Sequence, residues 1–314
     1  NRAMNKITKV ALTTILILTT IAGCSALKAQ AEPIKPSVVI LDTSIDASLP
    51  IFKERVIQEV CVLENVLTVC PNNTQFQEGS GSASSLAPQI LKSAGFRHGT
   101  AMASIAVKTN AYVNVVFVRI VGYYNGYRVN PTATSVTRAL DWVIANKDKY
   151  NVAAVAMSQS THDAATLKQL CPNNLITPYA DKLKQLNVAL FFPAGNDGDL
   201  KQVDYPSCIP QAITVGSVDE RNIIATYSNG TPSQVDFYAL GHHRNAVFPG
   251  GEITTVVGTS AANQVAAMQW ATVKMVRPSL TYDELYNLLK STATIVENGK
   301  VKGGSLINIE KATK

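Results

Sequence analysis

The chain has 314 residues, 46% apolar, 16% charged and 7% aromatic, a composition that excludes disorder, a collagen-like repeat and a small disulfide knot and leaves room for one large core. Its 28 basic and 22 acidic residues give a net charge of +6, but Arg2, Lys6 and Lys9 fall in a first stretch of 23 residues that holds no acid. Without them, 25 basic residues face 22 acidic ones over 291 positions, a balance of +3 that does not call for a nucleic-acid partner.

From Met4, Lys6 and Lys9 precede an apolar run from Val10 to Ala22 that is broken only by threonines. This is the pattern of an export signal, and it is shorter than the roughly 20 apolar residues of a bilayer crossing. Its end, Ile21-Ala22-Gly23-Cys24, resembles a bacterial lipobox. Residues 1–23 therefore read as a lipoprotein-type signal peptide, Cys24 as the lipidated residue and 24–36 as a linker, with Ala29-Gln30-Ala31 as a second candidate cleavage site. A single acyl chain anchors weakly, so stable attachment needs several. Lipidation of Cys24 leaves four of the five cysteines. Cys61 and Cys70 lie close together in a turn-rich insertion, and Cys171 and Cys208 flank a predicted helix and strand. Neither pair has the tight spacing of a metal site, so both are expected to be disulfides.

Ser37–Leu41 is a continuous β-branched apolar run, as a buried parallel strand requires, and similar runs recur at Val113–Ile120, Val152–Met157, Val188–Phe192 and Ala212–Val215. Helical patterns alternate with them. Ser135 to Asn146 places Val136, Ala139, Leu140 and Val143 on one face, Pro178 to Leu186 is a shorter amphipathic stretch, and Ala261 to Val276 is apolar enough to be a buried central helix. The alternation predicts an α/β fold of three layers, a mostly parallel twisted sheet with helices on both faces, spanning 37–314 as one domain. Gly79 to Ser85 reads as a flexible loop.

In such sheets, functional groups collect at the carboxyl ends of strands and the amino ends of helices. Asp42 ends the first strand, His98 opens a helix, Asn196 follows the buried run Phe191-Phe192-Pro193, and Ser260 opens the central helix. Singly, each has a structural explanation, as an Asx-turn, a helix start, a turn residue or an N-cap. Together they place an acid, a base, a nucleophile and an amide donor at four element boundaries, each beside small residues that admit a substrate.

In this order the residues resemble the subtilisin-like serine peptidases. The resemblance runs from about Pro36 to Lys314 and takes in Ala139-Leu140-Asp141-Trp142-Val143, Tyr205-Pro206-Ser207-Cys208 and the ending Gly303-Gly304-Ser305-Leu306-Ile307-Asn308. It implies a serine endopeptidase in which Ser260 is the nucleophile, His98 the general base, Asp42 the residue that orients it, and Asn196 the oxyanion donor. Ser158-Gln159-Ser160 and Ala194-Gly195 would hold the peptide on either side of the residue before the scissile bond. Departures from the family pattern are Ser44 in place of a glycine, Ala101 in place of a second histidine, Ala261 after the serine, and Ala262-Asn263-Gln264-Val265 where a proline is usual. The last of these makes the start of the central helix, and the placing of Ser260, the point to examine. Gln159-Ser160 replaces the common Leu-Gly, which implies a narrower and more polar pocket rim. No acid is identifiable at the pocket base, so a broad or modestly apolar preference is expected.

His242-His243 reads as surface, His162 beside Asp163 as loop chemistry, and no metal ligand set is assigned. The resemblance implies no cofactor for the chemistry; calcium sites are frequent in the family, but none can be matched residue by residue. Expected partners are a protein or peptide substrate and a membrane reached through the lipid anchor, with no nucleic acid and a monomeric chain. Ser25 after the lipid cysteine resembles an outer-membrane destination in the cell envelope, the alternative being secretion. No inhibitory pro-domain is expected between the signal and the first strand. The other reading is a pseudopeptidase that binds envelope peptides without cleaving them.

Overall fold

Ser37–Asp42 is a strand with all six side chains buried, which explains why no apolar/polar alternation is visible in it. The computed structural model describes residues 35–172 and 174–314. The signal peptide, Cys24 and the linker up to residue 34 lie outside the described residues. In chain order the strands are β1 (Ser37–Asp42), β2 (Val56–Val62), β3 (Phe76–Glu78), β4 (Asn114–Arg119), β5 (Gly122–Tyr124), β6 (Tyr127–Val129), β7 (Val152–Met157), β8 (Ala189–Pro193), β9 (Ile213–Val218), β10 (Phe237–Leu240), β11 (His242–Val247), β12 (Ile253–Val257), β13 (Thr294–Val296) and β14 (Gly304–Leu306).

Ten of these make one sheet in the order β13-β14-β10-β9-β8-β7-β1-β4-β2-β3. Every neighbour from β14 to β2 is parallel, and only the edge strands β13 and β3 run antiparallel. Val38 and Ile40 face a layer built on the helices His98–Thr109 and Thr259–Val276, whereas Val39 and Leu41 face Ala133–Asn146 and Thr177–Gln185. The predicted three-layer α/β fold is what the chain adopts. Each fully buried Val, Leu or Ile contributes about 1.5–3 kcal/mol, so this two-sided burial is the main source of stability. The central helix Thr259–Val276 is sheathed along most of its length; Ala261, Ala262, Ala266, Ala267 and Ala271 let it approach the sheet, and Trp270 is fully buried against Phe191.

Both expected disulfides form, Cys61–Cys70 and Cys171–Cys208. The predicted run Val152–Met157 coincides with β7, and the other predicted boundaries shift by at most three residues, as element ends do. Gly79 to Ser85 requires correction: it is a packed turn and not a flexible loop. Ser82 and Ala83 are fully buried, and the buried Glu59 carboxylate accepts the Ala83 N–H at 3.1 Å and the Ser84 hydroxyl at 2.7 Å. A buried carboxylate satisfied by that turn fixes its shape, a contact across more than twenty residues that local composition does not reveal. Among the described residues, no helix is long and apolar enough to cross a membrane.

Candidate active site

After β1 the chain builds β2 and β4 on one side, then crosses to β7 on the other, so β1 stands at the point where the strand order reverses. In open α/β sheets such a reversal is where a ligand crevice forms, outside the carboxyl ends of the strands. Asp42 ends β1, Ser158 to Ser160 follow β7, Ala194 to Asn196 follow β8, and the helices starting at His98 and Thr259 enter from the same end.

Asp42 is fully buried and His98 is partly exposed, with His98 Nδ1 2.8 and 3.0 Å from the two Asp42 carboxylate oxygens. The Thr43 N–H donates to Asp42 Oδ1 at 2.7 Å. Thr43 Oγ1 donates to Phe96 O and accepts the Gly99 N–H at 2.9 Å, tying the histidine helix to the end of β1. Gly99 is required by this approach, because a Cβ there would stand 2.3 Å from Ser44 O and 2.7 Å from Phe117 Cζ. Ala101, in place of the second histidine, is buried in the core behind the site.

Ser260 lies in the first turn of the central helix, which runs unbroken from Thr259. The unusual segment after it lies inside the first turns of this helix. The buried Asn263 amide donates to Met157 O and Phe191 O, and Gln264 Nε2 donates to Ser158 Oγ at 2.9 Å, so two amides tie the first turns to the ends of β7 and β8. Ser158 Oγ in turn donates to Ser260 O at 3.0 Å. Among the described residues, Ser260 Oγ makes no hydrogen bond to His98.

Asn196 Oδ1 accepts from the Thr259 N–H at 2.8 Å and from Thr259 Oγ1 at 3.0 Å, so the Nδ2 end of this exposed residue is not engaged with Thr259. Gly195 turns the chain at φ +109°, where a Cβ would meet Asp204 Oδ1 at 2.1 Å.

In the first of the two expected peptide-holding segments, Gln159 and Ser160 line a cavity together with Arg128 and Tyr205. Gln159 turns inward, its Nε2 donating to Asp42 Oδ1 at 3.0 Å while its Oε1 accepts from Arg128. Arg128 is exposed to solvent, so its attraction to the charge of Asp42 is partly screened. Ser160 Oγ donates to Asp204 Oδ2 at 2.6 Å. Asp204, buried between Ser160 and Gly195, is an acid between the two segments that the sequence did not disclose. Its backbone N–H binds Ala194 O, and its neighbour Tyr205 pairs with Thr161.

His162 lies in a loop, as expected, and that loop brings it into this cluster. Its Nδ1 is 2.9 Å from Asp204 Oδ1, its Nε2 is 3.3 Å from Asp199, and Asn229 Nδ2 donates to Asp204 at 3.0 Å. His162, Asp197 and Asp204 bring one ligand atom each within 4.8 Å of one another, a set that could hold a metal ion; here those atoms are engaged with each other and with Asn229. His242 faces Glu220, while His243, which burial holds below the usual histidine range, bonds Leu240 O.

Desolvation works against the His162 cation, but its hydrogen bond to Asp204 and the charges of Asp197 and Asp204 hold the ring above the usual histidine range; burial likewise pushes the Asp204 carboxyl up. A raised histidine stabilises the fold fully below its unfolded value of about 6.5, and the contribution fades as pH rises through the native value. His162→Gln, made on Ser260→Ala to prevent self-digestion, should therefore lower Tm more at about pH 5.5 than at about pH 9. Equal losses would contradict the cluster's role.

Oxidation gives a second test. Ala261 follows the serine, Met102, Met157 and Met268 are buried, and Met275 lies fifteen residues along the central helix, about 22 Å from Ser260 at 1.5 Å per residue. Peroxide should inactivate the protein slowly. Rapid loss of activity tracking sulfoxide formation would refute this.

Comparison with known proteins bears on the family and the fold. The Subtilase family model matches residues 34–306. The chain is 26% identical over 244 residues to M-protease of Shouchella clausii (strain KSM-K16), covering 78% of this chain and 58% of that one, and 26% identical to Subtilisin Savinase of Lederbergia lenta, covering 78% and 81%. Its fold is similar to that of a cold adapted subtilisin-like serine proteinase, with a TM-score of 0.62 at 21% identity over 86% of this chain and 87% of that one. A lanthipeptide protease gives a TM-score of 0.65 at 17% identity over 88% and 86%. With the family model spanning nearly all of the described residues, the chain belongs to the subtilase family.

Proposed function

We propose that this chain is a serine endopeptidase whose chemistry is carried by Asp42, His98 and Ser260, with Asn196 as oxyanion donor. The observation that carries the reading is the buried Asp42 carboxylate held 2.8 Å from His98 Nδ1 at the same end of the sheet as Ser260. A serine hydroxyl is a weak nucleophile at neutral pH and needs a base. With Nδ1–H committed to Asp42, His98 Nε2 is left free to take the Ser260 proton as Oγ attacks the peptide carbonyl carbon. Negative charge then develops on the carbonyl oxygen, facing Asn196 Nδ2, the Ser260 N–H and the positive end of the central helix. His98 returns the proton to the leaving amine, and water releases the acyl group by the reverse sequence. The chemistry of the family needs no cofactor.

A second reading, a peptide-binding pseudopeptidase, is favoured by the absence of a Ser260–His98 hydrogen bond among the described residues. Fluorophosphonate labelling separates the two. The folded protein should label at Ser260 and the Ser260→Ala variant should not; no Ser260-dependent labelling would overturn the peptidase reading. The apolar run and lipobox-like end support export to the cell envelope with lipid on Cys24, and mass spectrometry of the mature N-terminus tests it: an unmodified Cys24 would refute the anchor.

A further inference from the structure

We infer that Gln159, braced by Arg128, is a positioning residue that fixes the plane of the Asp42 carboxylate; this rests on the peptidase reading of the site. Asp42 Oδ1 receives three donors: the Thr43 N–H at 2.7 Å, His98 Nδ1 at 2.8 Å and Gln159 Nε2 at 3.0 Å. The carboxylate of an aspartate can rotate about its last bond, because that torsion is broad. Two donors besides the histidine, one from the backbone next to Asp42 and one from the segment after β7, close off that rotation and leave one orientation for the Nδ1–H to meet.

The amide is itself held. Arg128 donates to Gln159 Oε1 through one guanidinium nitrogen, while its Nε donates to Asn130 Oδ1 at 2.8 Å, so Nε2 of the Gln159 amide is presented to Asp42 and lies 3.4 Å from His98 Nδ1. Arg128 pairs with no carboxylate among the described residues, and its charge lies within reach of Asp42. Because Arg128 is exposed to solvent, its charge is partly screened, and its part in the brace is the hydrogen bond to Gln159. A leucine of the same size would fill the space but offer no donor. The orientation of Asp42 thus depends on a segment contributed by a different strand, 117 residues away in sequence.

A residue that only lined the peptide cleft would act on substrate affinity, whereas a positioning residue acts on turnover. Gln159→Leu should lower kcat about tenfold, the kinetic equivalent of one hydrogen bond to a charged group, while KM stays within about twofold. The downfield proton resonance of His98 Nδ1–H should move in the same variant. Arg128→Leu, which keeps the Gln159 amide but frees it, should lower kcat in the same direction by less, and unchanged Tm in either variant excludes a folding defect. Unchanged kcat in Gln159→Leu, or a raised KM alone, would overturn the inference while wild-type labelling at Ser260 left the peptidase reading standing. A wild-type protein that fails to label would overturn both.

Discussion

Asp42→Asn should lower kcat by about 10⁴ while leaving the protein folded. The local geometry gives the reason. Oδ1 of Asp42 accepts the Thr43 N–H and Gln159 Nε2, both of which need an acceptor, while His98 Nδ1 is shared between Oδ1 at 2.8 Å and Oδ2 at 3.0 Å. An asparagine would keep its carbonyl oxygen there and turn its amide NH₂ toward His98 Nδ1. That NH₂, in the place of Oδ2, favours the tautomer in which Nδ1 accepts and the ring carries its proton on Nε2, the atom that in the proposed mechanism receives the proton of Ser260. The base is lost through the wrong tautomer, with almost no change in shape. The replacement also removes the anion that stabilises the imidazolium formed during the reaction. Steady-state turnover of a chromogenic peptide measures the loss, with circular dichroism and Tm as controls for folding. A loss below about tenfold would sink the tautomer argument, since a residue that merely packs beneath His98 would tolerate an isosteric amide.

The residues of the site differ in how far the sequence exposed them. Asp42, His98, Asn196 and Ser260 were legible because each stands at an element boundary, and boundaries are marked by hydrophobic period and by glycine. Val38 to Leu41 announces β1 and so places Asp42; Gly99 marks the close packing behind His98; Gly195 marks the turn before Asn196. The parallel sheet was legible for the same reason, as burial on both faces writes continuous apolar runs. Gln159, Asp204 and His162 were not. Their partners come from other strands and loops, so no local pattern records them, and a glutamine after β7 reads as a pocket rim until its amide is seen on Asp42. The packed turn at Gly79 to Ser85 escaped because its composition is that of a linker, whereas its shape is set by Glu59.

Losing the donor of Asn196 should cost about 10²–10³ in kcat, or about 2.7–4 kcal/mol of barrier, with KM nearly unchanged. Asn196→Ala is an impure test, because Oδ1 of Asn196 also accepts the Thr259 N–H and hydroxyl at 2.8 and 3.0 Å, and removing it frees the start of the helix that carries Ser260. Asn196→Asp isolates the donor. One carboxylate oxygen can still receive both Thr259 groups, while the other replaces Nδ2 with an acceptor facing the developing negative charge. Turnover should therefore fall at least as far in Asn196→Asp as in Asn196→Ala, although the helix start is better preserved. The opposite order, with the aspartate variant retaining most of the activity, would mean that Asn196 serves the helix and not the oxyanion. A KM effect without a kcat effect would place its contribution in substrate binding, because a donor aimed at the oxyanion strengthens only as the transition state forms.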